Sequence, residues 1–271
     1  MSLEISQSLR IQILNFLGIC HYRPDLTTLD ALIDAYIRHV PWESASRLVR
    51  HRHGTVPATN SVAWPQDFWR RAIDSGSGGT CFESNYAMHA LLGSMGYQSY
   101  LTINDMGATH NCHTAIIVPL DGAQWLVDVG IPLHVPLRIN PDSSSLRQGP
   151  WLKYSIVPEA DHAFQVRREP HPKAYIFTLR NRPVSDADYR AAMIADYGPG
   201  AFFLDQVIIT RVVGSDVWRF SSADQPWRLE QFVDGRRIEH ALGDAAAHRL
   251  AEHFGMDAAM LAEALELLQS D

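Results

Sequence analysis

Cysteine is scarce in this chain, with three among 271 residues, at Cys20, Cys81 and Cys112. A small, odd set cannot build a disulfide framework, and it suits a reducing compartment, so a cytoplasmic protein is expected. Lysine is scarcer still: Lys153 and Lys173 are the only two. With a net charge of −7 and no basic run, the electrostatic footprint of a nucleic-acid binder is missing. No apolar run approaches the roughly 20 residues of a membrane-spanning helix. The N-terminus also lacks the basic-then-apolar pattern of a signal peptide. What remains, at 46% hydrophobic and 20% charged, is a globular chain long enough to bury a sizeable core as one domain or two to three subdomains.

The first hundred residues read as helical. Leu9, Ile13, Phe16 and Leu17 recur at helical spacing, as do Leu29, Leu32, Ile33, Tyr36 and Ile37, with Pro41 ending the second run. Pro65 opens a third helix with Phe68, Trp69 and Ile73 inward. The polar stretch Val49 to Ser61 reads as loop, with His51 and His53 in a solvated turn. From Tyr97 to about Arg180 short β-branched runs separated by Gly, Pro and Asp predict an antiparallel sheet or barrel. These runs are Tyr100 to Ile103, His113 to Leu120, Trp125 to Ile131 and Ala174 to Leu179, with Asn140 to Pro150 as an exposed loop. Ser185 caps a short helix ending at Ala195. Phe202 to Thr210, Val212 to Phe220 and Trp227 to Ile238 then resemble strands. Asp244 to Phe254 and Asp257 to Gln269 resemble closing helices capped by their aspartates. The class is α+β, with a helical front, a β middle and a mixed tail.

Within this frame, Gly76-Ser77-Gly78-Gly79-Thr80-Cys81 sets a cysteine behind a glycine-rich turn and in front of an amphipathic run to about Ser94. Met88, Leu91 or Leu92, and Met95 mark its apolar side. At the first turn of a helix, unpaired N–H groups and the helix dipole favour a thiolate. The glycines let a backbone or a substrate come close. A buried, inert cysteine is the alternative.

The run from His113 to Gly130 reads as a hairpin turning at Asp121-Gly122. That register sets His113 opposite Gly130 and Ala115 opposite Asp128. His113 and Asp128 therefore share a face, diagonally placed roughly 7–8 Å apart at the backbone. A single bulge would destroy this parity. Asp128 interrupts the apolar run Trp125-Leu126-Val127-Asp128-Val129, and a carboxylate there needs a partner. Cys81, His113 and Asp128 thus supply nucleophile, base and orienting acid, a set suited to acyl transfer through a thioester. His110-Asn111-Cys112-His113 offers metal-ligand types, but no second ligand pair accompanies it, and no metal is expected.

These elements resemble the arylamine N-acetyltransferase family. Its Arg-Gly-Gly-X-Cys-Phe-Glu-X-Asn signature is similar to Ser77-Gly78-Gly79-Thr80-Cys81-Phe82-Glu83-Ser84-Asn85, and its Val-Asp-Val-Gly strand to Val127-Asp128-Val129-Gly130. Its early Pro-Phe-Glu-Asn element resembles Pro41-Trp42-Glu43-Ser44, and its later segment resembles Leu179-Arg180, Asp188-Tyr189 and Asp196-Tyr197. The resemblance implies a helical bundle (1–96), an antiparallel β-barrel (97–183) and an α/β lid (184–271) around a cysteine-protease-like Cys-His-Asp core. It implies ping-pong transfer of an acetyl group from acetyl-CoA, as cosubstrate, to an arylamine- or hydrazine-type amine. No cofactor would be permanently bound. Cys81 would carry the acetyl group, His113 would act as base and Asp128 would orient it. Gly79, Thr80, Gly130 and Ile131 would line the substrates.

The chain departs from the signature in several places. Ser77 replaces its arginine, which Arg70 or Arg71 could substitute. Thr80 stands where an aromatic is common, Ser44 replaces an asparagine, and Ile131-Pro132 stands where Phe-Gly is frequent. These departures keep other readings open: an amide synthase with a carrier-bound or larger acyl donor, a non-catalytic binding member, and a cysteine hydrolase that releases free acid.

Overall fold

The computed structural model describes residues 4–54, 59, 61–198, 200–233 and 235–269. Its front is helical, in α1 (Gln7–Phe16), α2 (Leu26–His39), α3 (Ala45–His53), α4 (Pro65–Ser75) and α5 (Cys81–Ser94). The side chains of Ser6 and Asp25 accept from Leu9 N and Thr28 N and so cap α1 and α2. Pro65 starts α4, and Gly76, at φ 65°, ends it in the left-handed region. On α2 the apolar stripe Leu29, Leu32, Ile33, Tyr36 and Ile37 is buried, each side chain contributing about 1.5–3 kcal/mol of burial.

Two helical expectations change. Polar composition between Val49 and Ser61 reads as loop, but residues up to His53 belong to α3, whose polar side chains Arg47 and Arg50 point inward. Positions 55–58 and 60 of that stretch lie outside the described residues. In α5 the run is enclosed on nearly all sides, with Cys81 to Met88 all buried, including Glu83, Ser84 and Asn85. Three buried polar side chains in a row need partners.

The middle of the chain forms a nearly closed antiparallel barrel. Its strands are β2 (Tyr100–Met106), β3 (Thr109–Leu120), β4 (Ala123–Val127), β5 (Leu137–Ile139), β6 (Ser145–Gln148), β7 (Lys153–Pro158), β8 (Ala163–Glu169) and β9 (Tyr175–Arg180). Their order is β5-β4-β3-β2-β9-β8-β7-β6. The two ends approach each other where Ser145 Oγ of β6 donates to Arg138 O of β5. Asn140 to Pro150, expected as loop, contains β6. Its side chains alternate half-buried and exposed, so its apolar signal is weak. The hairpin turn is at Asp121-Gly122, both with positive φ, the geometry of a type I′ turn. The ladder runs from Leu120↔Ala123 to Ile116↔Val127 without a slip. It stops there, so Asp128 lies just past β4 and Gly130 is not a ladder partner of His113. On its other side His113 pairs with Asn104 of β2.

After α6 (Asp186–Ala195, capped by Ser185) comes a second sheet in the order β1-β10-β11-β12-β13. Its strands are β1 (Trp42–Glu43), β10 (Ile208–Val213), β11 (Asp216–Ser221), β12 (Arg228–Val233) and β13 (Arg236–Ala241). The three long strands expected here are four shorter ones. Gly214, at φ 64°, turns β10 into β11, and Arg228 to Ala241 folds back as a hairpin. The helix α7 (Ala246–Phe254) has Ala245, not Asp244, at its N-cap position, whereas Asp257 caps α8 (Ala258–Leu267) as expected. No helix among the described residues is long and apolar enough to cross a membrane.

Candidate active site

Cys81 is the first residue of α5 and is buried, 8% exposed. The loop in front of it is held by close backbone approach. A Cβ on Gly78 would stand 1.7 Å from Pro41 O, so only glycine fits there. Trp42 bridges to Gly79, and Glu43 N donates to Gly79 O at 3.3 Å.

The barrel brings its histidine to this point. Cys81 Sγ lies 3.8 Å from the carbonyl oxygen of Cys112, and Thr114 Oγ1 donates to Cys81 O at 3.2 Å. Both neighbours of His113 therefore touch the cysteine. The His113 ring packs on Phe177 at 4.6 Å between centroids. Nε2 donates to Asp128 Oδ2 at 2.6 Å, while Nδ1 is buried with no hydrogen-bond partner among the described residues. In the neutral ring this makes Nδ1 the basic nitrogen.

Asp128 is fixed from its other side. Oδ1 accepts from Asn85 Nδ2 (3.0 Å), Gly130 N (2.8 Å) and Ile131 N (3.1 Å). Asn85 is one helical turn beyond Cys81, and its amide also donates to Thr114 O at 2.8 Å, while its oxygen accepts from Val129 N at 3.0 Å. One side chain thus ties α5, β3 and the turn after β4 together. Tyr189 of α6 extends the network, donating to Phe82 O at 2.8 Å with its hydroxyl 3.1 Å from Thr114 Oγ1.

Behind the loop lies a buried charge cluster. Glu83 takes both carboxylate contacts from Arg50 Nη2 (2.9 Å each), and it accepts from Ala63 N (2.7 Å) and Tyr197 OH (2.6 Å). Glu43 accepts from Ser46 N and Gly78 N, and Arg50 Nη1 donates to Ser46 Oγ at 2.8 Å. The cation expected at Arg70 or Arg71 comes instead from Arg50 on α3. Arg70 is exposed beside Asp67, and Arg71 is exposed as well, its guanidinium disfavoured by partial desolvation and by Arg50. Arg47, fully buried, pairs with Asp196 at 2.8 Å, and burial pushes the Asp196 carboxyl up to about 6.

Burial pushes the Cys81 thiol well up, and the carboxylates of Asp196 and Asp128 act in the same direction. Arg47 and the Phe82 N–H oppose them. The helix terminus alone therefore does not make a thiolate here; the sulfur needs a base beside it.

Of the four positions expected to line substrates, Gly79, Thr80 and Gly130 are buried and Ile131 is half-buried at the edge of the barrel core. Gly130 packs on Cys81, and Thr80 receives a hydrogen bond from Arg47 at 3.3 Å. Among the described residues no group of three or more His, Cys, Asp or Glu side chains could hold a metal. His110 pairs with Asp105 at 3.3 Å, whereas His113 pairs with Asp128. Sequence reasoning missed Asn85, Thr114, Tyr189, Arg47 and Arg50 as site residues. Asn85 carried a usable signal, since a polar residue four positions after Cys81 shares its helix face.

A profile of the N-acetyltransferase family matches residues 25–256. An arylamine N-acetyltransferase of Mycolicibacterium smegmatis is 26% identical over 259 residues, covering 89% of this chain and 88% of that protein. Proansamycin X synthase of Amycolatopsis mediterranei is 27% identical over 175 residues, covering 61% and 65%. Among solved structures, Mycobacterium marinum arylamine N-acetyltransferase superposes with a TM-score of 0.81 at 19% identity, over 96% of this chain and 97% of that one. The same enzyme in complex with CoA gives 0.79 at 17% identity, over 94% and 97%.

Proposed function

The chain belongs to the N-acetyltransferase family and is an acyltransferase of it, and from that premise we propose that it carries an acetyl group from acetyl-CoA to an arylamine- or hydrazine-type nitrogen through a thioester on Cys81. The observation that carries this reading is the state of His113. One ring nitrogen is tied to Asp128 at 2.6 Å, while the other is buried and unpartnered among the described residues, between two neighbours that touch Cys81.

His113 Nδ1 takes the Cys81 proton, and the sulfur attacks the acetyl carbonyl carbon. Asp128 stabilises the imidazolium and holds its tautomer. The carbonyl oxygen becomes an oxyanion met by backbone N–H groups at the start of α5, including that of Cys81. As the tetrahedral centre collapses, the carbon–sulfur bond to the donor breaks and His113 protonates the leaving thiolate. In the second half the acceptor nitrogen attacks the Cys81 thioester. His113 removes a nitrogen proton, the Cys81 carbon–sulfur bond breaks, and the proton returns to the cysteine. Substrate lining is assigned to Gly79, Thr80, Gly130 and Ile131. The same reading divides the chain into a bundle (1–96), a barrel (97–183) and a lid (184–271).

That CoA is bound by the Mycobacterium marinum relative supports the donor. A relative named as a synthase supports a second reading, amide formation with a larger or carrier-bound acyl donor. Intact-mass measurement after incubation with acetyl-CoA tests the first. An acetyl adduct that Cys81→Ala abolishes is expected. Acylation only by longer or carrier-bound donors would establish the second reading instead.

A further inference from the structure

The helix end that holds Cys81 has an unusual neighbour. Helix N-termini favour acidic groups, and a buried cation there is unfavourable unless an anion must be accommodated. Yet Arg47, fully buried on α3, reaches the residue just before Cys81: its Nη1 donates to Thr80 Oγ1 at 3.3 Å. Thr80 occupies the N-cap position but makes no side-chain capping bond within α5. Its hydroxyl serves Arg47 instead, and a phenylalanine at this position would offer no such acceptor. The guanidinium is held from three more directions. It pairs with Asp196 Oδ2 at 2.8 Å, donates through Nη2 to the Asp196 carbonyl, and stacks over the Tyr197 ring at 4.0 Å. Arg47 Nε is buried and has no partner among the described residues. One turn further along α3, Arg50 closes on Glu83 of α5 and on the Tyr197 hydroxyl at 3.0 Å. The two arginines clamp the first turn of α5 against the segment after α6.

We propose that Arg47 is a positioning residue for the nucleophile: through Thr80 it fixes the residue that precedes Cys81, and it sets permanent positive charge behind the sulfur. Arg47 is then a second cation from α3 beside Arg50, and Asp196 sets how much of its field reaches the thiol. The proposal rests on Cys81 being the nucleophile. The charged and titratable groups around Cys81 are His113 and Asp128 from the barrel, Asp196 and Tyr189 from α6 and its C-terminal end, and Arg47 from α3.

The test is the pH dependence of Cys81 alkylation by iodoacetamide, read peptide by peptide by mass spectrometry so that Cys20 and Cys112 are scored separately. Arg47→Met should move the Cys81 profile up by about one pH unit, a loss of about tenfold in rate on its acidic limb. Asp196→Asn, which leaves Arg47 unopposed, should move it down. Arg47→Lys should recover most of the shift. If Arg47→Met does not fold, the pair Arg47→Met/Asp196→Asn leaves neither charge buried alone, and its profile should lie above that of Asp196→Asn. A merely structural arginine would alter thermal stability but leave the profiles superimposed, or displace both variants in one direction; either result overturns the proposal. A wild-type profile that matches free cysteine, near pH 8.5, would count instead against Cys81 as the nucleophile.

Discussion

Gly130 and Cys81 meet with no room for a side chain between them. A Cβ on Gly130 would stand 2.6 Å from Cys81 Cα and 2.7 Å from its Cβ, with Asn85 Nδ2 also at 2.6 Å. The obstacle is backbone, which cannot swing aside as a flexible side chain can. Gly130→Ala should therefore cost about 1–3 kcal/mol of stability and slow Cys81 acylation by at least about tenfold through misplacement of the sulfur. Thermal melting and a rapid-quench acylation rate measure the two effects. A variant unchanged in both would show that the contact is looser than described.

Replacing His113 should silence the thiol. Burial and the nearby carboxylates push the Cys81 thiol up, so below that raised value the protonated form dominates unless a base takes the proton. In His113→Gln, alkylation of Cys81 at neutral pH should fall more than about tenfold, with reactivity returning only above the free-cysteine range near pH 8.5.

Asp128→Asn should invert the ring. Three N–H donors claim Oδ1, so the new amide would turn its oxygen to them and its NH₂ toward His113 Nε2. Nε2 would then accept, Nδ1 would carry the proton, and the thiol would have no base. By analogy with a triad acid changed to its amide, the transfer rate should drop by about 10²–10⁴-fold. Histidine nitrogen chemical shifts would report the tautomer directly.

Arg50→Met should leave the Glu83 carboxylate buried without its cation, at a cost of about 3–5 kcal/mol. The double variant Arg50→Met/Glu83→Gln should lose less than the sum of its parts, because the unpaired charge is gone. Urea unfolding of the four proteins gives the coupling.

Acid should destabilise the fold through two imidazoles, His134 buried and His89 half-buried. Burial holds His89 and His134 down to about 4. Between about pH 4 and 6.5 the unfolded chain binds more protons at these rings than the folded one, so stability rises with pH across that window. Asp196, pushed up to about 6, works in the opposite direction between about pH 4 and 6. His134→Gln should flatten the acid limb of a stability-against-pH curve by about 1–3 kcal/mol.

The approach of His113 to Asp128 was legible because much of it rests on local rules. Asp121-Gly122 specifies a type I′ turn, and the turn fixes the register as far as Ile116↔Val127; His113 and Asp128 meet as expected although the ladder ends before them, because Asn85 and the turn after β4 hold Asp128 in place. Glycines and Pro65 marked where α4 and α5 begin and end. The charge cluster was not legible, because it depends on contacts between distant segments. Arg50 sits in the Val49 to Ser61 stretch whose polarity reads as loop, Arg47 lies just before it, and only the fold shows that Glu83, Asp196 and Tyr197 converge on them. β6 was hidden for a similar reason. Its side chains alternate only between half-buried and exposed at a barrel seam, so pairing with β7, not apolar alternation, makes it a strand.

The two-residue strand β1 has one further consequence. Trp42 and Glu43 pair with Thr210 and Ile209 on one side and touch Gly79 on the other. On a translating ribosome, the loop in front of Cys81 therefore has no sheet to lean on until β10 has left the exit tunnel. A nascent chain released before that point would hold all three members of the trio and still lack the brace that positions the sulfur. The nucleophile appears early in synthesis, but its setting is completed late.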